Sequence, residues 1–97
     1  MNPDEIVHPG VALRAELKKR GLSANRLSLA MRVPSGRIVQ ILNGQRGVSA
    51  ETALRLAQAL GQNPHYWMSL QCRYDLAVAS RDQGERIRRE VQAVEPA

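Results

Sequence analysis

Between Leu22 and Gly44 the chain carries two short amphipathic segments back to back, LSANRLSLAM and PSGRIVQILNG, hinged at Arg32-Val33-Pro34. Leu27, Ala30 and Met31 recur at i, i+3, i+4 in the first, and Ile38, Ile41 and Leu42 repeat that spacing in the second. Such spacing lines one face of an α-helix. Proline disfavours helix in the residue before it, so the two cannot merge into one rod. The pattern predicts two short helices packed on a common core.

The flanking sequence supplies more helices of the same kind. His8-Pro9-Gly10 opens the first, because proline tolerates the first helical turn, and Leu13 and Leu17 give it an inward line before Gly21 ends it. Ser23 and Ser35 are read as N-caps of the second and third helices, whose hydroxyls accept from free backbone N–H groups. Asn43-Gly44 ends the third helix. Ser49 caps a fourth, with Ala53, Leu56, Ala57 and Leu60 as its stripe and Gly61 at its end. Asn63-Pro64 opens a fifth that carries Trp67, Leu70, Tyr74 and Ala77. Asp82-Gln83-Gly84 reads as a break, followed by a weaker stripe of Ile87, Val91 and Val94 that can pack on the domain, on a second copy or on another protein. The expectation is an all-α, five-helix domain over residues 1–80. The C-terminal extension, 81–97, is expected to be partly helical or flexible.

Composition fits this picture. With no Phe and three aromatics in all, the core must rest on aliphatic side chains at helical spacing, which argues against a β-sandwich. Ninety-seven residues leave room for one core only. No apolar run approaches a bilayer span and no signal peptide is evident, so a soluble cytoplasmic chain is expected, without membrane contact. The single Cys72 excludes an internal disulfide and reads as a small buried hydrophobe in the fifth helix. His8 and His65 have no ligand at metal spacing, and neither a phosphate loop, a nucleophile elbow nor a carboxylate pair is present. Neither cofactor, metal nor catalytic residue is expected, and the chain is read as a non-enzyme.

The charge is lopsided. Residues 1–47 hold eight Lys and Arg against three acids, whereas residues 48–97 hold six of each. All of the net +5 therefore falls in the half that contains the paired segments, as an anionic partner on that side requires.

Two helices joined by a tight turn, with the second held outward, form a helix-turn-helix, whose second helix enters the DNA major groove. With Ile38, Ile41 and Leu42 inward, Gly36, Val39, Gln40 and Asn43 fall on the opposite side, and Ser35 and Arg37 lie at the leading end. Arg37 can donate a bidentate pair to guanine and Gln40 can pair with adenine. Ser35 can donate or accept, Val39 can meet a thymine methyl, and Gly36 lets the helix end approach the duplex. Ser23, Asn43 and Arg46 are placed for phosphates, which fix register without reading sequence.

The paired segments resemble the Cro and phage-repressor (XRE) helix-turn-helix family. The longer run from His8-Pro9-Gly10 through Asn43-Gly44, Arg46-Gly47, Thr52-Ala53-Leu54-Arg55-Leu56 and Trp67-Met68-Ser69-Leu70-Gln71 is similar to its HigA/VapI antitoxin branch over residues 8–76. This resemblance implies an operator-binding autorepressor that also sequesters a RelE-like, mRNA-cleaving toxin. It also implies a homodimer made through C-terminal helices. Tyr66, Leu70 and Tyr74, at i, i+4, i+8, can supply that interface, while Trp67 reads as core. Asp4, Glu5, Glu16, Asp82, Glu85 and Glu90 are candidate toxin contacts. Ala24 stands where many such repressors have a Gln that braces the reading helix, and Arg32 where a turn Gly is common. The alternatives are a free-standing repressor without a toxin and a protein-interaction module that no longer binds DNA.

Overall fold

The computed structural model describes residues 6–96 and contains five α-helices: α1 (Pro9–Arg20), α2 (Ala24–Met31), α3 (Ser35–Leu42), α4 (Ala50–Leu60) and α5 (Pro64–Glu90). Asp4 and Glu5 lie outside the described residues. Local chemistry sets most boundaries. The His8 imidazole accepts from the Gly10 amide ahead of Pro9, and the Ser23, Ser49 and Asn63 side chains accept from the amides of Arg26, Thr52 and His65. Gly21 and Gly61 end α1 and α4 in the left-handed conformation. Arg32 does the same for α2 at φ 56°, the one non-glycine residue with positive φ among those described, so the turn keeps its shape without a glycine.

α3 departs from expectation at its start. Pro34, rather than Ser35, holds the capping position, and no side chain caps the helix. Proline is already extended there and Ser35 becomes the first helical residue, so the amides of the first turn lack a side-chain acceptor.

The core is contiguous: Leu13 and Leu17 of α1, Leu27 and Met31 of α2, Ile38 and Ile41 of α3, Ala53, Leu56 and Leu60 of α4, Trp67 of α5, and Val48 from the α3–α4 loop. α2 packs on α3 and α4, and α1 on α3 and α5. The inward face of α2 keeps Leu27 and Met31 of the expected stripe but exchanges its third member. Ser28 is buried and Ala30 exposed, and the Ser28 hydroxyl is satisfied by the Asn25 carbonyl at 2.7 Å. Leu42 is half-buried at the edge of the core. Trp67 is fully buried and its indole N–H donates to Gln62 at 2.9 Å, so the largest side chain of the core leaves no polar atom unpaired.

α5 runs unbroken through the expected break at Asp82-Gln83-Gly84. A glycine inside a helix costs only about 1 kcal/mol, and the i, i+4 pairs Glu85–Arg89 and Arg86–Glu90 support the turn that follows Gly84. Ile87, Val91 and Val94 are exposed. Cys72 is exposed as well, contrary to the sequence reading. Five residues at 100° each turn it about 140° away from Trp67, off the buried side of the helix.

Candidate nucleic-acid interface

α3 lies between its packing partners and solvent. Ile38 and Ile41 have no exposed surface, whereas Ser35, Gly36, Val39, Gln40 and Asn43 are exposed and Arg37 is half-buried. The face opposite the isoleucine pair is thus polar and slim at its leading end. A Cβ built on Gly36 would meet no other atom within 4 Å, so nothing in the domain fills the space in front of it.

Neighbouring elements hold the polar side chains of this face. Arg37 donates to Glu51 of α4 at 3.0 Å. Arg46, in the loop after α3, donates through Nε to the Gln40 side chain at 2.8 Å, joining an expected base reader to an expected phosphate contact. The Ser23 hydroxyl caps α2 by accepting from the Arg26 amide, which places it at the exposed N-terminus of that helix.

Several residues that position α3 have no local signal in the sequence. Arg14 of α1 donates to the Leu42 carbonyl at 3.3 Å and so neutralises the C-terminal end of α3. Arg55 of α4 donates to the Met31 carbonyl at 2.9 Å, at the end of α2. Gln71 of α5 accepts from the Val48 amide at 2.7 Å and ties the loop after α3 to the long helix. Glu51 offers a partial signal, since acids favour the first turn of a helix and Arg55 follows at i+4.

Tyr66, Leu70 and Tyr74 line an apolar groove of about 290 Å³ between α1 and α5, facing Val11, Ala12 and Ala15. Val11 is 60% exposed and Tyr66 44%. The His8 and Tyr74 rings meet edge to face at 4.9 Å at the rim. No helix of the described residues is long and apolar enough to cross a membrane, and among them no three His, Cys, Asp or Glu side chains converge on a point.

A helix-turn-helix family model matches residues 13–67. Virulence-associated protein I of Dichelobacter nodosus is 45% identical over 82 residues, which cover 84% of this chain and 76% of that protein. An addiction module antidote protein of the HigA family from Coxiella burnetii superimposes with a TM-score of 0.89 at 40% identity, over 93% of this chain and 99% of that one. The Pseudomonas aeruginosa antitoxin HigA, solved with the higBA promoter, superimposes with a TM-score of 0.90 at 34% identity, over 94% of this chain and 100% of that one. The chain belongs to the Cro and phage-repressor helix-turn-helix family, within the branch of the HigA antitoxins and virulence-associated protein I.

Proposed function

We propose that this chain is the antitoxin of a type II toxin–antitoxin pair, which binds operator DNA as a homodimer to repress its own operon and sequesters a RelE-like, mRNA-cleaving toxin in the bacterial cytoplasm. The observation that carries the DNA-binding part is the orientation of α3. Its isoleucines are buried while Ser35, Gly36, Val39 and Gln40 are exposed and Arg37 lies at their edge, as a groove-reading helix requires. The resemblance to an antitoxin solved with its promoter supports the same reading.

In this reading Arg37 pairs with guanine and Gln40 with adenine, while Ser35 and Val39 add a hydrogen bond and a methyl contact. Ser23, Asn43 and Arg46 hold phosphates, and so fix where α3 enters. The groove at Tyr66, Leu70 and Tyr74 takes the second copy, whose α3 reaches the next half-site about 34–36 Å along the duplex. The toxin part rests on the names of the relatives, and the acids Glu16, Asp82, Glu85 and Glu90 stand as its candidate contacts.

Selection of duplexes from a random library by the purified chain tests DNA binding. Recovery of a near-palindromic sequence is expected, and recovery of no preferred sequence refutes the reading. Co-expression with the adjacent open reading frame tests the toxin part: a stable complex that relieves growth arrest is expected. Growth arrest that this chain leaves unrelieved refutes it.

A further inference from the structure

One carboxylate links the reading helix to two other elements. Glu51 Oε1 is 3.0 Å from Arg37 Nη1 in α3 and 3.7 Å from Arg55 Nε in α4, and Arg55 Nη1 donates at 2.9 Å to the carbonyl of Met31, the last residue of α2. The path runs from the end of α2 through the first turn of α4 to the first turn of α3. On the other side of the pair, Ala24 at the start of α2 ends in a methyl group and offers no hydrogen bond to α3.

We propose that Glu51 is a positioning residue for Arg37, anchored by Arg55, and that this link sets how sharply α3 discriminates at one base pair; the proposal rests on α3 being the groove-reading helix. A free arginine side chain has many rotamers to lose when it meets a base, and one already tied at a terminal nitrogen loses fewer. The tie occupies Nη1 alone, so Nε and Nη2 have no protein partner among the described residues and keep the parallel N–H donors that a bidentate guanine contact uses. Arg37 is drawn toward the domain surface, with its side chain 27% exposed against 63% for Glu51. An exposed ion pair contributes little to folding. A carboxylate near the DNA-facing side also repels phosphates. A residue in that place weakens general DNA binding, and its compensating role is selectivity.

The test uses the duplex that the wild-type chain selects from a random library, and a set of its single base-pair variants, in competition binding at fixed salt. Glu51→Ala is expected to bind unrelated duplexes at least as well as the wild type, yet to lose about fivefold or more of its discrimination at one base pair. That base pair is the one whose discrimination Arg37→Ala also abolishes. Glu51→Gln keeps an acceptor oxygen and is expected to retain part of the discrimination, and Glu51→Ala added to Arg37→Ala is expected to change it no further. Damage to the fold would instead weaken binding to all duplexes alike. Undiminished or sharper discrimination in Glu51→Ala, with selection intact in the wild type, overturns the positioning role alone. A wild-type chain that selects no duplex overturns the reading of α3 and this proposal with it.

Discussion

Gly10 of α1 lies so close to the carbonyl oxygen of Ile41 in α3 that a Cβ at position 10 would overlap it. The obstacle is backbone, which cannot swing aside as a side-chain tip can. The glycine therefore sets how near α1 approaches α3, beside the point where Arg14 meets the Leu42 carbonyl. Gly10→Ala is expected to lower stability by about 1–3 kcal/mol, as overpacking of a close contact does. Urea unfolding checks it: the midpoint falls while the slope stays unchanged.

Two arginines near α3 are expected to behave differently. If Arg37 makes the proposed base contact, Arg37→Ala should cost about 1–3 kcal/mol on the preferred duplex and relax preference at a single base pair. If Arg46 makes the proposed phosphate contact, Arg46→Ala should weaken binding to every duplex, lowering the salt slope by about one unit. Because Arg46 also holds the Gln40 side chain, its loss should blur the base pair proposed for Gln40. Titrations of both variants over a range of salt separate these outcomes. If both bind like the wild type, α3 is not in the groove.

The parts of the fold legible in the sequence are those whose chemistry is local. The inward placement of Ile38 and Ile41, the caps at Ser23, Ser49 and Asn63, and the stops at Gly21 and Gly61 follow from residues within a turn or two of each other. The bonds that aim α3 are not of this kind: Arg14 reaches Leu42, Arg55 reaches Met31 and Arg37 reaches Glu51 across 28, 24 and 14 positions. Periodicity specifies a buried face only to within a residue, which is how Ser28 came to be buried in place of Ala30. Gly84 reads as punctuation, yet the helix continues past it into a turn that carries two i, i+4 ion pairs.

Glu16 gives acid sensitivity a definite sign. Its carboxylate accepts from Arg20 at 2.9 Å, and the same guanidinium donates to the Leu60 carbonyl at 2.9 Å, fastening α1 to the end of α4. That hydrogen bond, helped by the charges of Arg20 and Lys19 and opposed by desolvation, holds the Glu16 carboxyl below the ordinary glutamate range. The folded state therefore binds this proton less readily than the unfolded chain. The stabilisation is present above the unfolded value and is lost as pH falls through the lower folded one. Glu16→Gln should cost about 0.2–1 kcal/mol at neutral pH, the range of a surface ion pair. In paired denaturation series, its difference from the wild type should shrink toward zero in acid.

The groove between α1 and α5 makes the last expectation. One reading helix offers too few base contacts for useful affinity, so the proposed operator binding calls for a second copy held at a fixed spacing. Tyr66, Leu70 and Tyr74 present apolar surface on the side of α5 that faces Val11 and Ala12, with Tyr66 exposed and Leu70 and Tyr74 half-buried. A charge placed there would be desolvated in a dimer but solvated in a monomer. Tyr66→Asp, at a position 44% exposed in the single chain, should leave the melting temperature of the fold nearly unchanged while shifting sedimentation from dimer to monomer at micromolar concentration. Loss of the linked half-site should then lower affinity for the palindromic duplex by about 10²-fold or more. Affinity for a single half-site should stay unchanged. A wild-type chain that sediments as a monomer at micromolar concentration, both free and on the palindrome, refutes the dimer. A Tyr66→Asp chain that stays dimeric moves the interface elsewhere on α5.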